Sequence, residues 1–162
     1  MTAESKDAGA VPTDQARDYL RGILERMGIP AEVIAREDED RLVLDVECSS
    51  TDDVQRVIGR RGQVVDALQH LVSKMVGRGK AEGRGKPIVV DSGGYRQRHI
   101  ERLEGLAAKM AEKAKASGRP VDLEPMPPYD RRVIHMALAK VEGVATRSEG
   151  EGDMRHIVVV PG

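Results

Sequence analysis

The chain has 162 residues, 40% of them hydrophobic and 33% charged, enough for one ordinary domain or two small ones under a heavily solvated surface. No apolar run approaches the roughly 18 residues of a membrane span, and residues 1–12 lack the basic start and apolar stretch of a secretory signal, so a cytoplasmic protein is expected. The net charge is −1 and Cys48 is the one cysteine, which excludes a disulfide framework and a cysteine zinc site within a single chain.

Residues 1–13 are small, polar and without periodicity, and are expected to be disordered. Asp14 is placed to cap a helix through about Met27, with Ala16, Tyr19, Leu20, Ile23, Leu24 and Met27 on one face. Gly28 and Pro30 end it. Residues 31–36 and 41–47 alternate as two strands around an acidic turn at 37–40, with Val33 and Ala35, then Leu42, Leu44 and Val46, on the apolar face. Ser50 or Thr51 can cap a short helix over 52–58. Gly59-Arg60-Arg61-Gly62 interrupts it, and Val64, Val65, Leu68, Leu71, Val72, Met75 and Val76 then recur at helical spacing. Residues 77–86 read as a glycine-rich basic loop and 87–91 as a short apolar strand.

Gly93-Gly94 marks a boundary. A long helix is expected from about Tyr95 to Ala116, ended by Gly118, and a strand over 120–125. Pro127-Pro128-Tyr129 opens a helix to about Val141, with proline at the start, where its missing N–H costs least. Residues 144–148 and 155–160 close the chain as a hairpin. The expected fold class is α+β in two small domains: a lead at 1–13, a helix–strand–strand–helix–helix–strand domain at 14–92, and a domain of helices on a three-stranded sheet at 93–162.

Charge is unevenly spread along this framework. Residues 1–55 hold 6 Lys+Arg against 14 Asp+Glu, residues 56–102 hold 11 against 4, and residues 103–162 are balanced at 9 and 9. A basic middle in a neutral chain suggests a localised anion-binding surface. Phe and Trp are absent and only Tyr19, Tyr95 and Tyr129 remain. An aromatic base-stacking platform of the RNA-recognition-sheet or OB-barrel kind is thereby excluded.

The basic stretch contains the chain's most informative loop. In Gly59-Arg60-Arg61-Gly62 the glycines let backbone approach a phosphate, the start of the following helix favours an anion, and Arg60 and Arg61 add charge-assisted contacts. Together with Ile58 and Ala67-Leu68-Gln69, the loop resembles that of a bacterial (type II) KH domain, in which a GxxG loop clamps the backbone of about four single-stranded nucleotides. The resemblance implies an aliphatic groove for bases, with Val57, Ile58, Val64, Val65 and Leu68 as candidates, most of them expected in the core.

Arg131 and His135 stand four residues apart on the helix after Pro127-Pro128-Tyr129 and so share a face. With Glu124-Pro125-Met126, Asp130-Arg131-Arg132, Ile134-His135, Ser148-Glu149-Gly150-Glu151 and Gly94-Tyr95-Arg96-x-Arg98, they resemble the R-3-H domain, named for its Arg-x-x-x-His signature, which binds single-stranded nucleic acid. Arg131 and His135 carry over directly; Arg132, Lys140, Arg96 and Arg98 are softer candidates.

A KH domain followed by an R-3-H domain resembles the bacterial Jag family, also called KhpB or SpoIIIJ-associated. Many members carry an extra N-terminal Jag domain, which is not expected within these 162 residues; His99 stands where arginine is common and Pro127 where asparagine is common. The resemblance implies a non-catalytic binder of single-stranded RNA, with single-stranded DNA as a second ligand class. It further implies post-transcriptional regulation linked to cell shape or division, and a small stand-alone KH protein, KhpA, as partner. The join at residues 91–94 is short enough to suggest one continuous RNA path. An adaptor in a membrane-insertase pathway, using the acidic residues 1–55, is the alternative. A nuclease-like pair drawn from His135 or His99 with Asp130 or Glu101 is poorly supported by spacing. No cofactor and no metal are expected; His70 and His156 have no clustered ligands in sequence.

Overall fold

A computed structural model describes residues 13–77 and 86–162, which fall into two compact units that divide between Tyr95 and Arg96. The first unit runs α1 (Thr13–Arg26), β1 (Ala31–Glu37), β2 (Leu42–Cys48), α2 (Thr51–Ile58), a 3-10 turn at Arg60–Gly62, α3 (Gln63–Gly77) and β3 (Ile88–Asp91). This is the expected order. The expected disordered lead lies outside the described residues except for Thr13, which instead begins α1. Its hydroxyl donates to Glu37 Oε2 at 2.9 Å. Asp14 therefore lies in the first turn, paired with Arg17 at 2.9 Å, rather than at the cap. Of the expected 77–86 loop, Gly77 belongs to α3, Lys86 is described, and the rest lies outside the described residues.

The sheet has the order β1-β2-β3, with β1 antiparallel and β3 parallel to β2. Buried Leu42, Leu44 and Val46 alternate with half-buried neighbours, so one face is covered and the other partly exposed. The covered face packs with Leu20 and Leu24 of α1, Val57 of α2, and Val65, Leu68 and Val72 of α3 in one aliphatic core. Each such side chain contributes about 1.5–3 kcal/mol when removed from water.

Polar side chains close the joints between these elements. Asp38 accepts from the backbone N–H groups of Asp40 and Arg41 at 2.9 and 2.8 Å, which shapes the acidic turn and holds its own carboxyl below the ordinary value. Ser50, not Thr51, caps α2: its Oγ accepts from the Asp53 N–H at 3.1 Å. Arg56 reaches back to the Met27 and Gly28 carbonyls at the end of α1. Buried Ser92 donates to the Val46 carbonyl at 2.8 Å, and Gln69 Oε1 on α3 accepts from the Val90 N–H of edge strand β3.

The second unit contains α4 (Tyr95–Ser117, its first residue counted with the first unit), β4 (Val121–Asp122), α5 (Pro128–Leu138), β5 (Val144–Glu149) and β6 (His156–Pro161). Its sheet is antiparallel, with β6 between β4 and β5. Leu103, Ala107, Ala111 and Ala114 make a stripe along α4 that packs with Ile134 and Leu138 of α5 and Ile157 and Val159 of β6.

Two expected bounds contract. The strand expected over 120–125 is a two-residue ladder, although Leu123 and Met126 still donate to the Ile157 and Arg155 carbonyls; Pro125 has no N–H to give. Helix α5 ends at Leu138 rather than near Val141, because Ala139 takes the C-cap and Val141 closes a turn onto Leu138.

Leu44 is fully buried at the centre of β2. Leu44→Ala is expected to lower stability by about 2–5 kcal/mol, read as a shifted urea midpoint by circular dichroism.

Candidate nucleic-acid interface

Helix α2 stops where the chain leaves helical backbone. Gly59 has φ 73° and ψ −178°, Arg61 has φ 52° and Gly62 has φ 80°. Left-handed backbone is cheap for glycine and costs roughly 1–2 kcal/mol for another residue. Arg61 is the one non-glycine residue with positive φ among those described. The turn is closed by its own N–H groups: Gly59 donates to Gln55, Gly62 to Gly59 at 3.4 Å, and Gln63 to Arg60. Those three donors are engaged internally. What the loop presents outward is the exposed pair Arg60 and Arg61, at the start of α3.

The two glycines are also demanded by packing. A Cβ on Gly59 would lie 2.4 Å from Val64 Cγ2, and one on Gly62 would lie 2.6 Å from Tyr95 Oη. Of the five residues proposed to line a groove for bases, Val57, Ile58, Val65 and Leu68 are buried in the core. Only Val64 remains half-buried beside the loop. The hydrophobic periodicity of α3 therefore describes in the main how the helix is seated, while Leu71 and Met75 of the same apolar series are exposed.

On α5 the Arg-x-x-x-His pair is held from two sides. Arg131 Nη1 donates to the Met126 carbonyl at 2.9 Å, which ties the guanidinium to the loop entering the helix. His135 is exposed, with Nδ1 2.6 Å from Thr146 Oγ1 on β5. When the hydroxyl donates, Nε2 carries the ring proton and is a donor to an anion. Arg132 is exposed on the same helix and Lys140 just after it; Arg96 is half-buried and Arg98 exposed near the start of α4. The structure thus brings Arg131, Arg132 and His135 onto one short helix.

Two partners in this region have no local signal in sequence, and a third, Asp130, enters there as part of the R-3-H pattern and as half of a nuclease-like pair. Thr146 reaches His135 only because β5 packs against α5. Met126 serves Arg131 through its carbonyl, which any residue type supplies. Asp130 is buried and accepts from His99 Nε2 at 2.9 Å, while Arg102 Nη2 lies 3.3 Å from His99 Nδ1. A guanidinium only donates, so Nδ1 accepts and Nε2 donates. Both ring nitrogens of His99 are occupied: Nε2 joins α4 to α5 through Asp130, and Nδ1 is engaged by Arg102 within α4.

The comparisons with known proteins follow the same division of the chain. Residues 14–84 match the KhpA/KhpB KH domain and residues 101–161 match the R-3-H domain. The chain is 37% identical over 146 residues to a Clostridium symbiosum protein named RNA-binding protein KhpB, covering 90% of this chain and 64% of that protein. The same name is carried by a Bacillus subtilis (strain 168) protein, 31% identical over 150 residues (91% and 70% covered), and by a Lactiplantibacillus plantarum protein, 31% identical over 142 residues (88% and 42%). The chain thus spans slightly under two thirds of the Clostridium protein's length. With both domain matches in sequence order and this identity along most of its residues, the chain belongs to the KhpB family.

Proposed function

We propose that this chain is a non-catalytic binder of single-stranded RNA with two phosphate-gripping sites. The first is Gly59-Arg60-Arg61-Gly62; the second is Arg131 with His135, assisted by Arg132, Lys140, Arg96 and Arg98. The observation that carries the reading is the exposed Arg60-Arg61 pair held between two positive-φ glycines at the start of a 15-residue helix. The printed names of the relatives support RNA as the ligand. Single-stranded DNA shares the phosphate chemistry and is the second ligand class. Two sites on one chain raise the effective concentration at the second once the first is filled.

A binding role also suits the histidines. His99 has both nitrogens engaged with Asp130 and Arg102, and His135 follows Arg131 and Arg132 by about one turn of α5, a setting for an anion. The reading extends to a cytoplasmic post-transcriptional regulator linked to cell shape or division. It extends also to KhpA as partner, supported by a KH match that is common to KhpA and KhpB.

The test is binding of the purified, nuclease-treated chain to single-stranded RNA, single-stranded DNA and duplex RNA across a salt series. Arg60→Asp with Arg61→Asp should weaken single-strand binding at least tenfold, and Arg131→Ala with His135→Ala by a smaller factor. For every phosphate no longer neutralised, the log–log salt slope should flatten by about 0.7. Wild-type chain that binds no nucleic acid at low salt overturns the proposal and favours the adaptor role. Arginine substitutions are the right probe because the glycines carry the fold as well. Gly62→Ala, pressed against Tyr95 in left-handed backbone, should lower stability by about 1–3 kcal/mol in a thermal melt without any ligand.

A further inference from the structure

The second sheet turns one face to α4 and α5. Ile157 and Val159 of β6 point to the helices; His156 and Val158 alternate to the other side. Glu149 on β5 is directly opposite His156, and Asp122 on β4 is opposite Val158, so Asp122, Glu149 and His156 share that face. One ligand atom from each lies within 4.8 Å of the other two. Three strands thus bring one imidazole and two carboxylates together, although Asp122 is 34 residues before the histidine and Glu149 seven.

The direction of the hydrogen bonds at His156 narrows what this cluster wants. Nδ1 is 3.0 Å from the Met154 carbonyl, which only accepts, so Nδ1 bears a proton. Nε2 is 3.3 Å from Asp122 Oδ1, which also only accepts when ionised. In the neutral ring the Nε2 lone pair would therefore face a carboxylate. A positive centre on Nε2 resolves this, and only a proton or a metal ion can sit there. An Nδ1–H held by a backbone carbonyl is the outer contact that orients an imidazole whose other nitrogen binds metal.

We propose that Asp122, Glu149 and His156 form a site for a divalent transition-metal ion of the zinc class. One imidazole nitrogen and two carboxylate oxygens suit such an ion, with water completing the shell. Metal–ligand bonds of about 2.0–2.2 Å need the donors at about 3.3–3.5 Å from one another. The exposed side chain of Asp122 and the half-exposed one of Glu149 have the rotamer freedom to close that distance. Arg147 is paired with Glu149 and competes with the ion for that carboxylate. A bound ion cross-links β4, a strand of only two residues, to β6 and β5.

The test uses the full chain, stripped with chelator, titrated with Zn2+ by calorimetry and by 15N detection of the histidine rings. One ion per chain should bind, with the His156 Nε2 resonance moving to its metal-bound position while Nδ1 stays protonated. His156→Gln and Asp122→Asn should each weaken binding at least tenfold and lose most of the zinc-dependent rise in melting temperature, whereas Arg147→Gln should tighten binding and keep that rise, as the wild type does. Asp122→Asn is nearly isosteric at an exposed position, so loss of binding there is not loss of fold. No saturable uptake, uptake in both ligand variants unchanged from the wild type, or an Nε2 that remains protonated with zinc in excess would each overturn the proposal. RNA affinity of the same variants, measured in parallel, reports on the α5 face separately.

Discussion

Between Ile58 and Gln63 the chain must leave one helix and enter the next within four residues, with Val64 and Tyr95 pressed against the turn. The Cβ positions of Gly59 and Gly62 are already occupied, by the Val64 methyl and the Tyr95 ring. Both glycines also hold positive φ, so conformational and steric demands coincide at the same two residues. The first unit depends on this turn, because it sets where α3 lies across the sheet and hence which of its apolar residues meet β2 and β3. The two arginines between them are exposed: both flanking glycines are packed against Val64 and Tyr95, and the Gly59, Gly62 and Gln63 N–H groups are bonded within the turn.

The second unit reaches its candidate site by another route. No strained turn is involved in Arg131 or His135; each is oriented by one hydrogen bond from outside α5, to the Met126 carbonyl and to Thr146. Behind them, Asp130 receives the His99 ring and Arg102 backs that ring from the far side. Such a chain of donors is fully satisfied at each buried step, the condition under which a polar group in an apolar setting stops being a liability. One side of α5 is therefore anchored while its neighbours Arg132 and His135 remain in water.

Element order was legible in the sequence because aliphatic residues alternate cleanly in β2 and recur at helical spacing in α1 and α3. The GxxG loop and the Arg-x-x-x-His pair were legible for a related reason: each is local, set by residues at most four apart. Burial was less legible. Periodicity marks Val57, Ile58, Val65 and Leu68 as apolar-face residues but cannot say whether that face meets a core or a ligand, and here it meets the core. Partners that come from other elements left no trace. Thr146 is eleven residues from His135, and His156 meets Asp122 only through the pairing of β4 with β6. The shortened β4 and α5 were missed because a proline and a C-cap alanine end structure without interrupting apolar spacing.

The bond from the Val90 N–H to Gln69 Oε1 has an effect outside the molecule. β3 is an edge strand, and an edge strand's outward N–H groups are templates on which another polypeptide can add a strand. β3 has four residues, so withdrawing one N–H from its edge removes a sizeable part of the template. A side chain from the helix that follows the loop thus closes the sheet to growth at that end. Any segment that docked there by strand addition would first have to displace Gln69.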